Sequence, residues 1–102
     1  MRKDIKEKWI AALRSGAYEQ GNCALRFEDE YCCLGVLVDI VDPDGWVPHD
    51  EYLHMYGGKT EMIPESLRNE VGLPLEFAQE LAEQNDSGVP FEKIADIIEE
   101  EL

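Results

Sequence analysis

"EYCCLGVLVDIVD", residues 30–42, is the densest apolar run of the chain, and its reading decides the fold. Four β-branched residues, Val36, Val38, Ile40 and Val41, favour a strand. A helix would instead stack Cys33, Leu34, Leu37, Val38 and Val41 on one face and leave Gly35, Asp39 and Asp42 on the other. The helical period separates the two sets cleanly, so the stretch predicts a buried helix that stops at the turn "DPDG". Gly35 within it marks close approach of another backbone or ring. Cys32 and Cys33 open the run. They lack the C-x-x-C spacing, and free cysteine is among the most buried residue types, so both read as packing residues. A nucleophilic role would need a thiolate at the helix N-terminus with His49 or His54 as its base.

Working outward, "DIKEKWIAALRSG" predicts a first helix, with Asp4 and Glu7 as a capping-box pair, Ile5, Trp9, Ala12 and Leu13 on one face, and Gly16 as the stop. In "CALRFEDEYC", Ala24, Arg26 and Glu28 alternate with Leu25 and Phe27, which predicts two short strands meeting near Glu28-Asp29. Residues 43–63 form a long irregular segment, of which "KTEMI" is expected to add a third strand. "PESLRNEVG" predicts a short helix with Pro64 in its first turn and Gly72 as its stop. "PLEFAQELAEQN" predicts another, with Leu75, Ala78, Leu81 and Ala82 inward, broken by "NDSG". "PFEKIADIIEEEL" predicts the last, striped by Phe91, Ile94, Ile97 or Ile98, and Leu102. The expected fold is a single α+β domain over residues 1–102, four to five helices packed with a two- or three-stranded antiparallel sheet.

Charge sets the class of partner. The chain of 102 residues carries −14, and residues 1–14 hold five bases against two acids, so the remainder carries −17. Such a body repels nucleic-acid phosphates and anionic membranes, and a partner found electrostatically is basic. No leader and no run approaching the roughly 20 apolar residues of a membrane span is visible, and three cysteines is an odd count, which together predict a reduced, cytoplasmic protein. Cys23, Cys32, Cys33, His49 and His54 lack the paired spacings of a zinc site, so no metal and no cofactor is expected.

Three stretches, "KEKWIAALRSGAYEQG", "YCCLGVLVDIV" and "LAEQNDSGVPFEKIADIIEE", together resemble a group of small bacteriophage and prophage proteins. Those proteins look like W-x-x-A-L-R-S-G-x-Y-x-Q, then C-C-L-G-V-L, then L-N-D-x-G-x-S-F-x-x-I-A. The resemblance runs from Trp9 to Glu100 and is poorest over residues 43–63. Here Pro90 stands where a capping serine is usual, so the last helix needs another cap. The resemblance implies a phage-encoded accessory protein in a bacterial host cell.

The expected activity is binding, directed at a basic host protein such as a defence nuclease. Its candidate contacts are an acidic surface of Glu76, Glu80 and Glu83 on one helix and Glu92, Asp96 and Glu99 on the next, each set at i, i+4, i+7. Trp46, Tyr52 and Tyr56, aromatics on a polar loop, are candidate partner- or ligand-binding residues. Asn85 and Asp86 could present an amide and a carboxylate, although that chemistry also builds turns. The alternative activity is capture of a nucleotide-like small ligand in the 43–63 segment; a cysteine-dependent enzyme ranks third.

Overall fold

The computed structural model describes residues 1–102. It has five helices, α1 Lys3–Arg14, α2 Cys33–Val41, α3 Glu65–Val71, α4 Leu75–Asp86 and α5 Phe91–Glu101. Five very short strands accompany them: β1 Glu19–Gln20, β2 Arg26–Phe27, β3 Glu30–Tyr31, β4 Val47–Pro48 and β5 Leu53–Met55. One core of 21 buried apolar residues joins all the helices.

The run at residues 30–42 is a helix, as its period requires. Cys33, Leu34, Gly35, Val36, Leu37 and Val38 are all buried, so α2 is enclosed on every side for its first two turns. The face through Gly35 is closed by the backbone its glycine predicts. A Cβ on Gly35 would stand 1.8 Å from the Leu25 carbonyl oxygen, so the strand-side backbone lies directly on the helix where only glycine fits. The N-cap is Cys32, whose sulfur accepts from the Gly35 N–H at 3.4 Å.

Helix α1 buries Ile5, Trp9, Ile10 and Leu13 against α5 and α2. Its N-cap is Arg2, and Asp4 lies inside the first turn, paired with Arg2 at 3.0 Å, so the expected capping box does not form. Helix α3 ends on Gly72 with φ +75°, as its sequence predicts, and Pro64 stands just outside it as the N-cap, not in its first turn. Helix α4 runs one residue beyond the expected stretch, through Asp86 to a cap at Ser87; Ala78 and Leu81 face in, but Leu75 is 41% exposed. The missing serine at the start of α5 is replaced from a distance, because the Phe91 N–H donates to Gln20 Oε1 at 3.1 Å.

The sheet departs most from expectation. It has five strands in the order β1-β3-β2-β5-β4 and is mixed, with β1 parallel to β3 and the other pairs antiparallel. The β2–β3 hairpin at Glu28-Asp29 is as expected, Glu28 taking φ +53° to make the turn without glycine. "KTEMI" adds no strand; Lys59 makes one bridge to Tyr56, and the strands beyond the hairpin are β1 on one side and β5 and β4, from residues 47–55, on the other. Ladders of two or three residues carry too little alternation to be read from sequence. No helix is long and apolar enough to cross a membrane.

Candidate binding surface

The motif residues converge inside the molecule. Asn85 is fully buried. Its Nδ2 donates to the Gly21 carbonyl at 2.8 Å, and its Oδ1 accepts from the Cys33 N–H at 3.2 Å and from Gln20 Nε2 at 3.0 Å. Gln20 also donates to the Val89 carbonyl at 2.7 Å. Trp9 Nε1 donates to the Cys33 carbonyl at 2.9 Å, and Asp86 accepts from the Cys23 N–H at 2.8 Å. One polar hub thus ties the chain segment at Gln20-Gly21 to α2, α4 and the entry to α5. Asn85 is a tertiary hub in the last turn of α4, enclosed and bonded at both ends of its amide. Asp86 is exposed but holds a loop.

Pairing register sorts the sheet into two faces, because laterally paired side chains share a side. One row is Gln20, Tyr31, Arg26, His54 and Pro48; it faces α2. Here Tyr18, Tyr31, Trp46, His54 and Tyr56 form a chain of edge-to-face rings with centroids 5.1 to 6.4 Å apart. The Arg26 guanidinium sits 5.2 Å from the Tyr31 centroid and 5.6 Å from that of Trp46. Asp39 on α2 accepts from Tyr18 Oη at 2.7 Å and Trp46 Nε1 at 3.1 Å, and Asp42 accepts from Tyr56 Oη at 2.9 Å. Burial, then the Asp42 hydrogen bond, pushes the Tyr56 hydroxyl up to about 12. Burial and the charge of Arg26 hold His54 below its ordinary value. Of the loop aromatics, Trp46 and Tyr56 therefore belong to this inner layer and pin the 43–57 segment to α2.

Tyr52 belongs to the opposite face. The second row is Glu19, Glu30, Phe27 and Leu53, continued by the Met55–Val47 pair. The Tyr52 and Phe27 rings stack with centroids 5.7 Å apart and planes at 24°. Phe27 is 42%, Val47 48% and Tyr52 46% exposed; with Leu75 they are the exposed large apolar side chains of the molecule. Glu19 and Glu30 stand exposed in the same row, outside the ion pairs the structure makes, and Glu28 and Asp29 are exposed in the adjoining hairpin turn. The sequence pattern placed Phe27 with buried Leu25. The ladder is too short to keep that parity: Leu25 lies under α2, Arg26 turns inward and Phe27 turns out.

Helix charges fall into two groups. Arg14 reaches from α1 to Asp96 and Glu99 of α5, each at 2.7 Å, and Lys6 donates to the Glu99 carbonyl at 3.3 Å. The basic first helix therefore lies against the acidic last one and supplies cations at its C-terminal end. Glu76, Glu80, Glu83 and Glu92 remain exposed without an ion pair.

The thiols of α2 are buried, and burial pushes Cys32 up to about 11 and Cys33 well above its ordinary value, which keeps both in the non-nucleophilic form. No group of three or more His, Cys, Asp and Glu side chains is arranged to hold a metal ion. A cleft of about 320 Å³ is lined by Cys23, Ala24, Cys32, Glu61, Met62, Ala82 and Asp86, and one of about 420 Å³ lies between α1 and α5. Neither is lined by Trp46, Tyr52 or Tyr56.

Fold and surface together define a small acidic α+β domain with one uncovered sheet face. Residues 1–74 match the family described as Domain of unknown function (DUF8296), and the chain belongs to that family. The matched span holds α1, the whole sheet, α2 and α3; Asn85 and the acidic helices follow it. No curated protein and no solved structure matches the chain.

Proposed function

We propose that this is a phage-encoded accessory protein that acts by binding, and that it inhibits a basic host protein of the defence-nuclease kind in the bacterial cytoplasm. The observation that carries the reading is the unpaired acidic stripe of α4. Glu76, Glu80 and Glu83 share one exposed face and have no ion-pair partner, whereas the bases of α1 are drawn to α5. Like charges four apart cost a helix roughly 0.2–0.5 kcal/mol per pair, a cost the free protein does not offset locally. A basic partner would offset it, with an association rate that falls as salt rises.

The test is a plating assay on bacteria that carry a nuclease-based defence. Expression of the protein should raise phage plating, and Glu76→Gln/Glu80→Gln/Glu83→Gln should abolish that benefit while leaving the protein at least as heat-stable. A stable triple variant with full benefit would reduce the stripe to a solubilising surface. Asp96 and Glu99 are left out of the variant because Arg14 depends on them.

A further inference from the structure

The geometry points to the outer face of the sheet as the anchoring surface for the partner: Phe27, Tyr52, Val47 and Leu53 receive an aliphatic or aromatic side chain of a basic protein, and the carboxylates of Glu19 and Glu30 take the lysines and arginines around it. This inference rests on the binding reading above and names the place of contact.

Three observations carry it. Exposed large apolar side chains are concentrated here, three of the four in the molecule lying on this one face. Contiguous apolar patches rimmed by polar residues mark interaction sites, and a rigid stacked aromatic pair loses little side-chain entropy on contact. The second observation is the rim. Glu19 and Glu30 are register partners on neighbouring strands, so two carboxylates stand side by side in the same row as Phe27. Like charges directly opposite destabilise a sheet, and nothing else in the fold uses this pair. The third is contrast with the inner face, where Arg26 is held over two rings and each acid facing the layer accepts a phenol or indole hydrogen.

Charge selects the occupant. A second copy would bring −14 and an identical acidic rim against this one. Nucleic acid and anionic lipid meet the same repulsion. A protein surface with cations around an apolar anchor satisfies both components of the patch.

Selection of a displayed random peptide library on the folded protein tests this. Enriched peptides should carry Lys or Arg around a Leu, Phe or Trp. A synthetic copy of one should shift the amide resonances of residues 26–30, 47 and 52–55 of the wild-type protein. Phe27→Ser/Tyr52→Ser should weaken that peptide by about tenfold or more, the loss typical of anchoring aromatics. Mapping on wild type keeps the test valid if the double variant folds poorly. Shifts confined to α4, with the double variant binding normally, would overturn this inference and leave the binding reading standing. Enrichment of acidic or uncharged peptides alone would overturn both. A dimer that sediments as such and is lost in the double variant would assign the face to a second copy and overturn the inference.

Discussion

Around Asn85, polar groups are buried and bonded to one another; across the outer face of the sheet, aromatic rings stand in solvent among unpaired carboxylates. The two regions lie on either side of the same short strands. Gln20 in β1 reaches the hub, and Glu19, its neighbour in sequence, faces out. The difference separates residues that make the fold from residues that the fold leaves available. Trp9, Gln20, Cys33 and Asn85 are all in the first group.

The hub should fail hardest. Gly35→Ala forces a Cβ against the Leu25 carbonyl, and overpacking of an unyielding backbone is expected to cost about 3 kcal/mol or more; urea unfolding would show it, or the chain would not fold. Asn85→Ala strands the Cys33 N–H, the Gly21 carbonyl and the Gln20 amide. A buried unsatisfied group costs about 1–3 kcal/mol, so a loss near 3 kcal/mol is expected by the same measurement. A small loss would mean that water replaces the amide and that the hub is less central than its geometry implies.

Trp46→Ala sharpens the comparison from the inner face. The indole touches three rings and Arg26 and donates to Asp39, but it is only partly buried, so the expected loss is about 2 kcal/mol, read in a thermal melt. If this variant keeps full stability, the inner layer is not an anchor and Trp46 returns as a contact residue.

Acid should act through the inner face too. Burial, with the charge of Arg26, places the folded-state pKa of His54 below 6.5. As pH falls through that value the unfolded chain takes up the proton first. Stability attached to His54 is therefore lost between 6.5 and the lowered folded value, and stability rises with pH across that window. The melting-temperature advantage of wild type over His54→Gln should shrink on acidification; an advantage that grows would reverse the assignment.

Much of the helical framework was legible in the sequence, because its signals are long. The period in residues 30–42, the stripe of α1 and the glycine stop of α3 each span a turn or more and survive tertiary packing. Of the sheet only the β2–β3 hairpin was legible, because the other two- and three-residue strands have no period to detect and the β1–β3 parallel pair joins segments that no hairpin signal links. The role of Asn85 was hidden for a related reason. Asn-Asp-Ser-Gly is turn chemistry locally, and the partners that make Asn85 a hub, Gln20, Gly21 and Cys33, are distant in sequence. The outer face is not legible in the alternation, because Leu25 packs under Gly35 while Phe27, two residues on, turns out beside an inward Arg26.

The smallest expected effect tests the account most directly. In urea unfolding, Phe27→Ser/Tyr52→Ser should leave the midpoint within about 1 kcal/mol of wild type in stability and the slope unchanged, since exposed side chains contribute little beyond their mutual stacking. A loss as large as that of Trp46→Ala would make the outer aromatics part of the fold and contradict the claim that this face is free to bind.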